Sequence, residues 1–307
     1  MHYTILLLQT CYRQVKIEKQ IKGVKVFKKL SKTIVFSVRK CYNKSIYVEK
    51  DEFMAKIIAV ANQKGGVGKT TTAVNLSACV AELGKKVLVI DADPQGNATS
   101  GLGVDKDNAK YTVYDLLVND IDAKDAVSDV AYFNMKIIPS NMSLAGAEIE
   151  LVGASKREYI LKNALESVKD DFDFIFIDCP PSLGIITLNC LIAADSVIIP
   201  IQCEYYALEG VAQLTNTISL VKKSLNTALD IEGVVMTMFN GRTNLAIQVV
   251  EEIKKHFGKK VYKSLIPRNV RLSEAPGFGE PINVFDKSAT GTVAYRELAK
   301  EFVERNR

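Results

Sequence analysis

What the 307-residue chain lacks narrows it first. Its six cysteines (Cys11, Cys41, Cys79, Cys179, Cys190 and Cys203) form no C-x-x-C pair, and with only two histidines no Cys/His spacing of the zinc type occurs. That argues against a disulfide scaffold or a metal cage and points to a reducing, cytoplasmic setting. No apolar run approaches the roughly 20 residues that a membrane-spanning helix requires. "ILLL" near the start is too short for a signal-peptide core, so a soluble protein is expected. Gly, Ser and Pro nowhere cluster into a linker, and no internal repeat is present.

The net charge of +5 hides two unlike parts. Residues 1–53 hold 12 Lys/Arg against 4 Asp/Glu, whereas residues 54–307 hold 28 against 31. The first segment has no clear period, although Phe27, Leu30 and Ile34 could mark a short basic amphipathic helix. As part of the working protein it would be a basic tail for nucleic acid or anionic lipid. The favoured expectation is a start-site artefact. Met54 opens "MAKIIAVANQKGGVGKTT", where a domain can begin directly with its first strand. Lys50-Asp51, if encoded AAG-GAY, also spells a ribosome-binding-site-like AAGGA just upstream. Residues 1–53 are therefore set aside, and 54–307 is expected to be a single domain.

From Met54 onward, short β-branched runs alternate with helical periods. Strands are predicted at 56–61, 86–91, 135–139, 172–178, 196–201, 232–239 and 261–266. Several are apolar without alternation, as strands covered on both faces must be. Helical patterns fall at 70–83, 155–169, 208–225, 244–257 and 291–305. This order implies an α/β fold with a doubly wound, mostly parallel sheet and helices on both faces.

The chemistry concentrates in "NQKGGVGKTT", Asn62 to Thr71, which follows the first strand and opens a helix. In that setting backbone N–H groups and a helix N-terminus hold phosphate. Gly65, Gly66 and Gly68, with Val67 between them, permit close approach; Lys69 would reach the β/γ-phosphates and Thr70 would ligate Mg2+, with Thr71 beside it. The strict G-x-x-x-x-G-K-[ST] pattern fails at Gln63, and a dinucleotide fingerprint fails at Thr71. Lys64 is a second lysine where such loops are usually neutral. "LVIDADPQGN" places Asp91 and Asp93 at a strand end, where ligands of open α/β sheets bind, and "FIFIDCPPSLG" closes a buried strand on Asp178. Asp93-Pro94 and Asp178 could each instead be simple turn residues.

"KGGVGKTT" resembles the deviant Walker A motif of the ParA/MinD class of P-loop ATPases, a P-loop NTPase-like fold. The longer stretch from "NQKGG" to "ATSGLG" resembles the ParA/Soj chromosome-partitioning branch. The likeness covers essentially all of 54–307. It implies ATP and Mg2+ as cofactors, with Asp178 as the Walker B carboxylate holding Mg2+ through water. It makes Lys64, Lys69 and Asp93 catalytic: Lys64 crosses the interface of an ATP-sandwich homodimer, and Asp93 positions or activates the attacking water. Slow, partner-stimulated hydrolysis to ADP and phosphate is expected.

"MFNGRTN" and "IPRNVRLSEAP" also match that branch. By resemblance Asn240 reads an adenine edge, Pro267 and Arg268 pack on the base, and Arg242 and Arg271 contact DNA. Charge adds an independent indication: between Arg242 and Arg271 lie eight basic residues and two acids. Such an excess suits sequence-independent phosphate contacts. The expected partners are a second copy of the chain, nonspecific DNA and a ParB-like centromere-binding protein, with nucleoid association in the cytoplasm.

Rival readings stay open. A MinD-like division-site regulator would need a basic amphipathic C-terminal helix, whereas "TVAYRELAKEFVERNR" mixes charge signs and can pack Val293, Leu298, Phe302 and Val303 inward. A tyrosine kinase of the polysaccharide type would need a C-terminal tyrosine cluster, and only Tyr295 lies there. A nitrogenase-iron-protein relative would need bridging cysteines. A DNA-binding regulator using nucleotide only as a switch, with negligible turnover, is a different class again.

Overall fold

The computed structural model describes residues 55–204 and 207–306. Eight strands form one sheet in the order β3-β4-β2-β5-β1-β6-β7-β8. They are β1 (Lys56–Val60), β2 (Val87–Asp91), β3 (Ser128–Asp129), β4 (Met135–Ile138), β5 (Phe174–Asp178), β6 (Ser196–Gln202), β7 (Asp230–Phe239) and β8 (Val261–Pro267). Every pairing is parallel except the short β3 against β4. β3 was not foreseen; two residues are too few to carry a period.

Successive side chains leave a strand on opposite faces. Ile57 and Ala59 join one apolar layer, Ile58 and Val60 the other. Both layers are covered by helices, which explains the lack of alternation. On one face pack α1 (Lys69–Glu82) and α8 (Thr290–Arg305); on the other pack α4 (Ile185–Ala193), α5 (Ala207–Ser224) and α6 (Asn244–Phe257). Leu298 and Phe302 of α8 are fully buried, with Phe302 wedged against Phe174 and Phe176. Each such side chain contributes about 1.5–3 kcal/mol by leaving water. Val293 corrects the sequence reading: it is half exposed, and Tyr295 takes the inward position.

The expected helix over 155–169 is also corrected. Only Ile160–Leu165 is α-helical, preceded by a 3-10 turn at Arg157–Tyr159. The cause is Asn189 on α4. Its amide accepts from the Leu161 N–H at 3.1 Å and donates to the Arg157 carbonyl at 2.9 Å, the two groups that a continuous helix would join to each other. α4 itself was missed because its residues, "IITLNCLIA", are nearly all apolar and show no helical stripe.

A double hydrogen bond from Arg296 to Glu82 ties α8 to the end of α1 and holds the Glu82 carboxyl below its ordinary range. A lowered folded-state pKa stabilises above the unfolded value and is lost as pH falls through the folded one. In thermal melts, the stability gap between wild type and Glu82→Gln is therefore expected to be full above pH 4.5 and to close under more acidic conditions. A gap that persisted at acid pH would show that packing, not charge, carries the contact.

Candidate functional site: a phosphate cradle at the carboxyl edge of the sheet

β1 lies between β5 and β6, so the sheet's connections diverge on either side of it. The loop after β1 opens at that point on the carboxyl edge, where ligands of open α/β sheets bind. The register places Asp178 level with both Val60 and Asp91, so β5 carries its carboxylate directly beside the loop.

Gly66 and Gly68 adopt φ of 74° and 86°, which bends the loop and which bulkier residues resist. A Cβ added at Gly65 or Gly66 would meet nothing within 4 Å, so this rim of the cradle is open. The loop's foot is fixed by Asn62, whose amide donates to the Pro200 carbonyl at 2.8 Å and accepts from the Lys64 N–H at 3.0 Å. Lys69 begins α1, is almost fully buried, and donates to the Lys64 carbonyl at 3.2 Å. Burial lowers its pKa against the opposing pull of Asp178, Cys179 and Asp93.

Asp178 is fully buried, and neither carboxylate oxygen has a hydrogen-bond partner among the described residues. Burial and the neighbouring Asp91 push its pKa well up. The nearby Thr70 hydroxyl opposes the shift without completing a hydrogen bond. A buried carboxylate left bare is costly. With Lys69, Thr70 and an open glycine rim beside it, the arrangement fits a hydrated divalent cation, which Asp178 and Thr70 would hold and which would supply charge to a nucleotide's phosphates. Among the described residues no cluster of three or more His, Cys, Asp or Glu forms a ready-made metal cage.

Asp91, which sequence left without a role, is the brace of the second acidic strand end. Its Oδ2 accepts from both the N–H and the hydroxyl of Thr99 at 2.7 Å, and its Oδ1 accepts from the Asp93 N–H at 3.2 Å. Burial nevertheless pushes its carboxyl up to about 6, against the opposing Thr99 and Asp93 hydrogen bonds. Thr99 lies on α2 (Asn97–Gly101), so one carboxylate pins both ends of the loop that presents Asp93. Asp93 is 9% exposed and spends one oxygen on the Gln95 N–H at 3.0 Å.

The remaining predicted residues converge at the ends of β7 and β8. Phe239 pairs with Pro267, which brings Asn240 beside Arg268. The Asn240 Oδ1 accepts from the Arg242 N–H at 3.1 Å in an exposed turn. Lys64 and Arg268 meet at one carboxylate, their nitrogens 3.8 and 3.9 Å from Glu204. Arg242 is exposed and makes no ion pair with any described residue. Arg271 is more engaged: it pairs with Glu274 at 2.6 Å and Asp286 at 3.0 Å and lies over the Phe285 ring. Cys79, Cys179, Cys190 and Cys203 are buried free thiols; Cys11 and Cys41 lie outside the described residues, as does the amphipathic stretch around Leu30.

A glycine-bent loop at the switch point of a parallel sheet, a lysine opening the following helix and a bare carboxylate closing β5, the neighbouring strand of the sheet, define a P-loop NTPase. Comparison with known proteins narrows the class. A family model described as an AAA domain matches residues 55–231. The sporulation initiation inhibitor protein Soj of Bacillus subtilis is 60% identical over 248 residues, covering 81% of this chain and 98% of that protein. The chromosome partitioning protein ParA of Myxococcus xanthus is 50% identical over 253 residues, covering 82% and 89%. Among solved structures, cobyrinic acid a,c-diamide synthase of Mycobacterium smegmatis, with bound ADP and magnesium, superposes with a TM-score of 0.71 at 39% identity, covering 82% and 95%. The chain belongs to the ParA/Soj family of chromosome-partitioning P-loop ATPases.

Proposed function

We propose that this chain is a Mg2+-dependent ATPase that forms an ATP-sandwich dimer, binds DNA without sequence preference and partitions a chromosome or plasmid with a ParB-like partner. The observation that carries the reading is the bare Asp178 carboxylate beside Thr70 and Lys69 at an open glycine rim. No described residue satisfies it, and a nucleotide with its metal would.

In this reading the 65–71 backbone and Lys69 hold the phosphates, while Asn240, Pro267 and Arg268 receive the base. Thr70 would hold Mg2+ directly and Asp178 through water; bound there, the metal neutralises charge on the phosphate oxygens. Asp93 orients the attacking water, and its brace Asp91 keeps it in place. Lys64 stabilises the phosphates of the partner subunit, a trans-acting charge of the arginine-finger kind. Catalysis is positional and electrostatic, with no covalent enzyme intermediate. The dimer would present Arg242 and Arg271 to DNA phosphates, with Lys254, Lys259 and Lys263 exposed on the same stretch of chain. Domain limits of 54–307 belong to the same proposal, which the compact packing of the described residues from 55 onward supports.

No described helix is long and apolar enough to cross a membrane. α8 spends its apolar face on the core, which favours a DNA-bound over a lipid-bound cycle. The test is ATP turnover with Mg2+, alone and with random-sequence DNA plus a basic peptide from the ParB-like partner. Slow turnover that rises when both are present is expected. Intact DNA binding with no turnover in any combination would replace the ATPase by a nucleotide-switched regulator.

A further inference from the structure

The middle of the phosphate loop has a second anchor, and it comes from the far end of the chain. The Thr237 hydroxyl on β7 donates to the Val67 carbonyl at 2.8 Å, across 170 residues. Thr237 is buried, and its own carbonyl accepts from the Cys203 N–H at 3.2 Å, so it is held on both sides. A trans peptide sends its C=O and N–H in opposite directions. Holding the Val67 carbonyl on β7 therefore turns the Gly68 N–H of the same peptide away from β7.

The next residue is out of the ordinary. Met238 has φ of +51° inside a strand, a left-handed conformation that costs a side chain with a Cβ. The β7–β8 register also slips between Met236 and Phe239. Beyond that joint, Phe239 takes the Arg268 N–H at 3.4 Å, and Asn240 shapes the turn that carries Arg242. A strained single-residue joint thus stands between the loop's anchor and the turn that presents the proposed DNA arginine. Strained residues persist where surroundings over-determine them, and they mark positions that can switch.

We propose that Thr237 and Met238 link the phosphate loop to the Arg242 turn: Thr237 follows the Val67 peptide, and Met238 is the joint through which that movement reaches the DNA face. The inference rests on the reading of the chain as an ATP-switched DNA binder. Thr237 is a positioning residue; it touches no substrate. Coupling between two ligands is reciprocal, so it reads out as one ratio: DNA affinity with a nonhydrolysable ATP analogue over that with ADP.

The experiment uses the full chain, Mg2+ and a random-sequence DNA duplex. Thr237→Val keeps the shape and suits a strand, but removes the donor. The coupling ratio is expected to drop about tenfold, with the thermal midpoint near wild type. Met238→Gly, which leaves the hydroxyl intact and frees the joint, is expected to lower the ratio as well. Thr237→Ser, which restores the donor, should return it toward wild type. A wild-type ratio in Thr237→Val overturns the proposal while leaving the ATP-switched reading standing. So does a loss that serine cannot rescue, since that would mark a packing defect. A ratio of one in the wild-type protein would remove the reading itself, and the link with it.

Discussion

Lys64→Ala is expected to bind ATP nearly as well as wild type yet remain monomeric in its presence, with turnover lower by about 10³-fold or more, the scale of a trans-acting arginine finger. The structure separates what Lys64 does with its backbone from what its side chain is free to do. Its N–H is held by Asn62, and its carbonyl receives the Lys69 ammonium. Alanine keeps both. The side chain, by contrast, has among the described residues only the Glu204 carboxylate at 3.8 Å, at a partly exposed rim. Such a pair is worth no more than about 1 kcal/mol, so a phosphate across a dimer interface would displace it readily. The measurements are nucleotide affinity by calorimetry, mass by light scattering with a nonhydrolysable ATP analogue, and single-turnover hydrolysis. A Lys64→Ala protein that dimerises normally on ATP would cancel the trans assignment, and one that no longer binds ATP would show that the lysine serves its own nucleotide.

The contrast between Lys64 and Thr237 also shows what was legible in the sequence. The parallel sheet was readable because strands such as "IIAV" and "FIFI" are apolar on both faces, which only a doubly covered sheet permits. The phosphate loop was readable because glycine, lysine and threonine do local work at fixed spacing. Asp178 was placed by its strand end, although that its carboxylate would find no partner among the described residues could not be foreseen. Short helices escaped for want of a period, and Asn189 broke a predicted helix by a contact 28 residues away. Asn62 and Thr237 were unreadable as braces for the same reason: each holds a carbonyl, that of Pro200 or of Val67, which its own sequence neighbourhood does not contain. The partners of Asp91, namely Asp93 and Thr99, lie close in sequence but reach its carboxylate only through the turn of the loop between them. Arg271 was identified by resemblance and charge, but its two carboxylate partners are distributed over Glu274 and Asp286 and become visible only in three dimensions.

Asp93→Ala is expected to separate assembly from hydrolysis in the opposite sense to Lys64→Ala: the protein should dimerise on ATP, bind DNA and fail to let go. The reason lies in how the acidic loop is built. Asp91, not Asp93, holds that loop, taking two donors from Thr99 and one from the Asp93 backbone. Alanine at 93 keeps its backbone N–H and loses only the bond to the Gln95 N–H, a contact worth about 1 kcal/mol. The cradle itself, from Gly65 to Thr71 with Asp178 beneath it, is untouched, so ATP and the metal should still enter. What disappears is the carboxylate proposed to orient water, a contribution of about 10²–10⁴ in rate for a positioned acid–base group. Turnover should drop by that factor while the DNA complex, followed by filter binding after an ADP chase, persists far longer than that of wild type. Asp91→Asn makes the control: it weakens the brace, so it should impair folding of the loop and lower ATP affinity together with turnover. An Asp93→Ala protein that stays monomeric with ATP would mean that this carboxylate belongs to the assembly step, and that the water is positioned by another group.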